Sequence, residues 1–457
     1  MTAMSAGCEG SSSSTPNNNP SGIPDGGGGS VEDPPVPNTC PAPTAAATEH
    51  SKTIEADETW GPGLHDVTFN ISVVKSATLT IEPCAVVRIK NGYSITVGET
   101  SGPTTAKLVA RGKAGNPIGF EGLDGVAFGN LIAYPTGVLE LVYVDLKNGG
   151  GTGSRDGGAV HLYGDQNKPL QSMALLDHVT ITNSKRYGIV FEGRAGFTDG
   201  SQFVTISGSG DSAMRINAPG LGTIPTGKYT GNTVDRIRVM GSGVAEGIEV
   251  DTTMHNRGVP YLMGGDGSFS SLTVGGNTGT ALLTIEPGVT IKFSKGSGRE
   301  AGLFVQRSST TTASTGAIRA VGTAEAPIVF TSDEPTPAAG DWVGIVLNGD
   351  PDPRTKLDYA RVEYAGADTG TRGFSCGTEP SDDKISNEAA IAIFGEPASQ
   401  FITNTTFVKS AKNGVERAWT GAYVDFRPTN TFTDIAFCKQ TAPRPATGSC
   451  PDPAPCD

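Results

Sequence analysis

The chain has 457 residues and a formal net charge of −13; 18% of its residues are charged and 7% aromatic, while 63 are Gly and 31 Pro. So much Gly and Pro excludes a protein of long helices, and an acidic chain with no clustered Lys/Arg run excludes a nucleic-acid partner. No apolar run approaches the roughly 18–20 residues of a membrane span, so a membrane is expected as a partner only through a lipid anchor.

Residues 1–50 carry almost no bulky apolar side chains and cannot offset their ordering entropy by burial, which predicts a disordered tether. Gly26-Gly27-Gly28-Gly29-Ser30 reads as a flexible linker and Pro34-Pro35-Val36-Pro37 as a stiffer spacer. Near the start, Met4-Ser5-Ala6-Gly7-Cys8 followed by Ser11-Ser12-Ser13-Ser14 resembles the junction and tether of bacterial lipoprotein signals. That resemblance implies lipidation at Cys8 and a place on the outer membrane or cell surface.

From about Thr59 the pattern turns to short alternating apolar runs, and blocks of them recur. Leu79-Thr80-Ile81-Glu82-Pro83 returns as Leu283-Thr284-Ile285-Glu286-Pro287. Val87-Arg88-Ile89-Lys90 has Ile291-Lys292-Phe293 as its counterpart, and Pro117-Ile118-Gly119-Phe120 has Pro327-Ile328-Val329-Phe330. Ala159-Val160-His161-Leu162 matches Ala390-Ile391-Ala392-Ile393, and Val179-Thr180-Ile181 matches Thr405-Thr406-Phe407. The order is preserved with a period of roughly 200–230 residues, a tandem duplication. We therefore expect one module at 51–258, a second at 259–437, and a Cys/Pro-rich tail at 438–457.

Within each module, strands of roughly 3–5 residues recur about every 20–25 residues, bounded by Gly, Asn, Asp or Ser, with no sustained helical period. Such spacing predicts an all-β solenoid in which strands of successive coils stack and share one thin interior. Val179/Ile181, Ile189/Phe191 and Val204/Ile206 are its expected inward pairs. The phrases Leu283–Phe293, Ala320–Ser332, Gly340–Leu347 and Leu357–Gly366 resemble right-handed parallel β-helix repeats of bacterial secreted and lipoprotein-type surface proteins. The resemblance implies fold and compartment, and little about activity.

The cysteines point to the same compartment. Cys40, Cys84, Cys376, Cys438, Cys450 and Cys456 are even in number once Cys8 is set aside, none lies in a C-x-x-C pair, and several crowd the end of the chain. Disulfides rather than a zinc site are expected, and with them an extracytoplasmic, cell-surface or secreted protein.

Candidate chemistry is sparse, and no catalytic residue is assigned. Glu246, Glu249, Asp251 and His255 cluster near the module junction. If residues 247–251 form a strand, Glu249 and Asp251 share a face and are the candidate metal ligands, for Ca²⁺. Asp350, Asp352 and Asp358 lack the spacing of a calcium loop. His161 aligns with Ala392, so the repeat does not require it. Asp235-Arg236-Ile237-Arg238 alternates like a strand. Trp60, Trp342 and Trp419 read as packing residues rather than sugar platforms.

Three functions are consistent with this sequence. The leading one is a non-enzymatic surface protein, monomeric, with an adhesin-like or structural role toward a polysaccharide or another surface protein. The second is a carbohydrate-active β-helix enzyme, a lyase or hydrolase, which requires Lys or Arg to meet carboxylates from consecutive coils on the outer face. The third is a passive glycan-binding module.

Overall fold

The computed structural model describes residues 36–152, 156–241, 247–264, 271–276, 280–296, 301–306, 313–368, 388–445 and 455–457. Cys8, Glu246, Cys376, Cys450 and most of the expected tether lie outside them. Every named strand pair is parallel, and each strand pairs with one from the neighbouring coil. The chain winds as a right-handed parallel β-helix, as its sequence pattern predicts.

Stacking follows from the alternation of side chains. Ile118 lies beside Val144, Val144 beside Val179 and Val179 beside Val204; Phe120, Leu146, Ile181 and Ile206 form a parallel column. All eight of these side chains are buried. Each fully buried aliphatic or Phe side chain contributes about 1.5–3 kcal/mol. A one-residue slip would turn a whole column to solvent, so register is strongly specified.

The coil corners need left-handed backbone, and the sequence supplies it in aligned rows. Tyr143, His178 and Phe203 occupy equivalent positions with φ of 48°, 55° and 52°. The strand Gly137–Lys147 bends there, pairing residues 137–142 with Ala106–Arg111 and residues 144–146 with Ile118–Phe120. Outside that corner the Tyr143 ring stacks on His178 at 4.3 Å, and His178 lies tilted against Phe203 at 4.6 Å. Stacking offsets part of the cost of placing bulky residues at positive φ.

The duplicated blocks do not occupy the same faces. Ala85–Ile89 belongs to the 12-stranded sheet, whereas its repeat Thr290–Phe293 belongs to the 13-stranded sheet. Gly158–Tyr163 lies in that 13-stranded sheet, while its repeat Ala389–Ile393 lies in a five-stranded one. The second copy is thus displaced by one face around the coil. The 13-stranded sheet runs unbroken through the junction by way of Ile237–Met240 and Tyr261–Met263.

Both ends of the stack are closed. Cys40 is bonded to Cys84, fastening the chain ahead of the first coil, and Cys438 to Cys456. Beside the latter, the wholly buried Arg417 donates to the carbonyls of Thr441 and Val424 and to Asp457. Trp60, Trp342 and Trp419 are buried, as expected of packing residues; Trp342 stacks on Phe293 at 4.1 Å and donates to the Glu363 carbonyl.

At the first coil, His50 stacks on Trp60 at 3.9 Å, and its Nε2 lies 3.0 Å from His65 Nδ1. His65 Nε2 must donate to the Gly61 carbonyl 2.8 Å away, so its Nδ1 accepts from His50. Burial, and then His65, lower the His50 pKa from 6.5, against the pull of Glu58 and Asp66. A lowered value contributes stability that is present above pH 6.5 and lost as pH falls through the folded value. The thermal midpoint should therefore fall on acidification below about pH 6.5, and His50→Gln should flatten that segment of the pH profile; an unchanged slope in the variant would refute the assignment.

Candidate functional site

The outer face of the 13-stranded sheet collects ionisable side chains in a pattern dictated by register. His161 pairs with Val190, Val190 with Arg215, Arg215 with Arg238, Arg238 with Leu262 and Leu262 with Lys292. Each of these positions alternates with inward residues such as Val160, Ile189, Met214 and Ile237, all buried in the core. Arg238 lies on the strand Ile237–Met240, and Arg236 immediately precedes it. The alternation of Asp235-Arg236-Ile237-Arg238 is the sequence signal for this column.

Carboxylates from neighbouring coils meet this column. Asp156 precedes the strand Gly158–Tyr163, Glu192 ends the strand Tyr187–Glu192, and Arg215 lies on the next strand, Met214–Asn217. The Arg215 guanidinium is 3.5 Å from Asp156 and 3.9 Å from Glu192. His161 Nε2 is 3.6 Å from Glu192, and the ring stacks on Tyr163 at 4.0 Å, with Tyr134 stacked beyond at 5.3 Å. His161 is fully buried and neither ring nitrogen has a hydrogen-bond partner. Asp156, His161 and Glu192 each bring one ligand atom within 4.8 Å of the others.

A second centre lies beside the first. Asp211 is within 3.7 Å of Arg186, Arg236 and Arg238 and accepts from the Ser212 hydroxyl. Burial works to raise its pKa, but the Ser212 hydrogen bond and the Arg238, Arg236 and Arg186 charges hold it below the usual carboxylate range. Arg236 also reaches Asp333, at 2.8 Å, and Lys292 lies 3.3 Å from the same carboxylate. In a chain of net charge −13, this is a marked local concentration of fixed positive charge.

Of the patch expected at Glu246–His255, the structure describes Glu249, Asp251 and His255 and gives each a different partner. Residues 247–251 form no strand, only an isolated bridge from Ile248 to Val274. Glu249 turns instead to Arg194, at 2.6 Å, in the wall of a cavity of 450 Å³ also lined by Lys168, Asn167 and Thr252. Asp251 accepts from the Leu282 amide and lies 3.6 Å from Arg354, while His255 pairs with Glu286 at 2.7 Å. Asp350, Asp352 and Asp358 accept from the Glu396 amide, from Arg354, and from Thr403 and Asn404, respectively.

Residues 273–355 match the family model described as a pectate-lyase-like β-helix domain. The chain is a parallel β-helix repeat protein. The matched stretch of the β-helix contains Lys292 and Asp333 but not Asp156, His161, Glu192 or Arg215. No curated protein and no solved structure matches the chain. Two disulfides and a β-helix of this type fit an extracellular protein.

Among the described residues no helix is long and apolar enough to cross a membrane. Asp211→Asn would leave Arg186, Arg236 and Arg238 without their shared counter-charge. Its side chain is partly screened, so a loss of about 2 kcal/mol is expected, below the range for a fully buried pair. A shift in denaturant midpoint at constant slope would report it, and an unchanged midpoint would show that the cluster is held by other groups.

Proposed function

We propose that the protein acts on an extracellular polysaccharide along the outer face of the 13-stranded sheet. The observation that carries this reading is Arg215 meeting carboxylates of two other coils, Asp156 and Glu192. This is the arrangement by which a carbohydrate-active β-helix is distinguished from a plain scaffold. Arg215 and Arg238 supply preorganised positive charge for a sugar carboxylate or a developing oxyanion. Glu192 and Asp156 supply proton-transfer groups, and the half-buried Tyr163 and Tyr134 rings can pack against sugar. An acidic polysaccharide suits a cationic face, and the match to a pectate-lyase-like domain supports the same substrate class. A lipid anchor at Cys8 would hold this face outside the cell.

A second reading, the non-enzymatic surface or passive binding protein, is favoured by the complete burial of His161 and by ion pairs that close on one another. The two readings diverge in one assay. The purified chain is incubated with acidic and neutral polysaccharides, and chain shortening is followed by new reducing ends and by ultraviolet absorbance of unsaturated ends. An acidic polysaccharide should be shortened, with activity falling at least about 100-fold in Glu192→Gln. Lys75→Ala, which removes an exposed ion pair with Glu55, should leave it unchanged. Retention of polysaccharide without shortening would assign the protein to passive binding, and neither retention nor shortening to the scaffold reading.

A further inference from the structure

We infer that Asp156, His161 and Glu192 bind one divalent transition-metal ion of the zinc class. Their ligand atoms already lie within 4.8 Å of one another, contributed by two successive strands of the sheet and the turn that leads into the first. Bonds of about 2.0–2.2 Å need ligand atoms roughly 3–3.5 Å apart, a closure that side-chain rotation supplies. The independent observation is His161 itself. A wholly buried imidazole with no hydrogen-bond partner on either nitrogen forfeits the interactions it would have in water. Coordination would restore one of them, and stacking on Tyr163 fixes the plane of the ring for it.

The donor set selects the class of ion. Calcium takes six to eight oxygen ligands in a flexible shell, whereas one imidazole with two carboxylates suits zinc or its neighbours. Three protein ligands leave a fourth position for water or a substrate oxygen, and with the ion bound that water, rather than Asp156 or Glu192, would carry the proton-transfer role. Arg215 stands at ion-pair distance from both carboxylates and neutralises them when no metal is bound. It therefore competes with the ion, and its removal should tighten binding.

The ion's use rests on the polysaccharide reading, but its binding does not, so the test uses no polysaccharide. Tag-free full-length chain is titrated calorimetrically with Zn²⁺, Mn²⁺ and Ca²⁺. One Zn²⁺ per chain is expected, with Ca²⁺ markedly weaker. Glu192→Gln and His161→Ala should weaken Zn²⁺ binding about 100-fold, since each removes a direct ligand, and Arg215→Gln should tighten it about tenfold. Because His161 is buried, the half-exposed Glu192 variant keeps the test valid if His161→Ala fails to fold. Absent Zn²⁺ binding, a preference for Ca²⁺, or affinity unchanged in Glu192→Gln would each overturn the assignment. Loss of polysaccharide activity alone would not.

Discussion

The structure depends on one constraint: a side chain that points inward on one coil must meet an inward side chain at the same height on the next. The Ile118–Val144–Val179–Val204 column shows how strictly this holds. Each residue is buried only because its neighbours above and below are present, so no single coil has a core of its own. Corner geometry is subordinate to that requirement. Tyr143, His178 and Phe203 accept positive φ because a different corner would rotate the whole column out of register. The outer face pays no such toll, and there each coil can vary without disturbing its neighbours.

This division explains why the candidate site is found where the repeat fails. His161 belongs to a repeated block, but its partner Ala392 sits on a five-stranded sheet, because the second copy is displaced by one face. Arg215, Arg236 and Arg238 come from the end of the first module, past its last matching block. The 13-stranded sheet therefore joins strands that are not equivalent in the duplication, and its outer column owes nothing to internal symmetry. Among the described residues this grouping is found once, even though most of its scaffold is duplicated.

Architecture was legible in the sequence because it is local and periodic. The inward pairs Val179/Ile181, Ile189/Phe191 and Val204/Ile206 were identifiable from alternation alone, and all are buried. The site was not legible, for a physical reason. Asp156, Glu192 and Arg215 are separated by a coil or more of chain, and nothing in their spacing announces that ladder register brings them together. Glu249 and Asp251 misled in the opposite sense: proximity in sequence suggested a shared face, but without a strand at 247–251 each found a different cation. The Ala392 that replaces His161 in the second copy shows that folding does not require the imidazole. That replacement carries no weight about function, since a residue the scaffold can do without is one that is available for other work.

The electrostatics of the outer face follow from the same separation of roles. A chain with net charge −13 gains nothing in folding from gathering Arg186, Arg215, Arg236, Arg238 and Lys292 on one sheet. Half-buried guanidinium groups are costly unless each finds a counter-charge. Asp211 serves three of them and Asp333 two, so the carboxylates are shared rather than matched one to one. Sharing ties strands of successive coils together through their side chains as well as through the backbone ladder. The carboxylates that hold these cations come from different coils, so the arrangement is fixed by ladder register rather than by any one stretch of sequence.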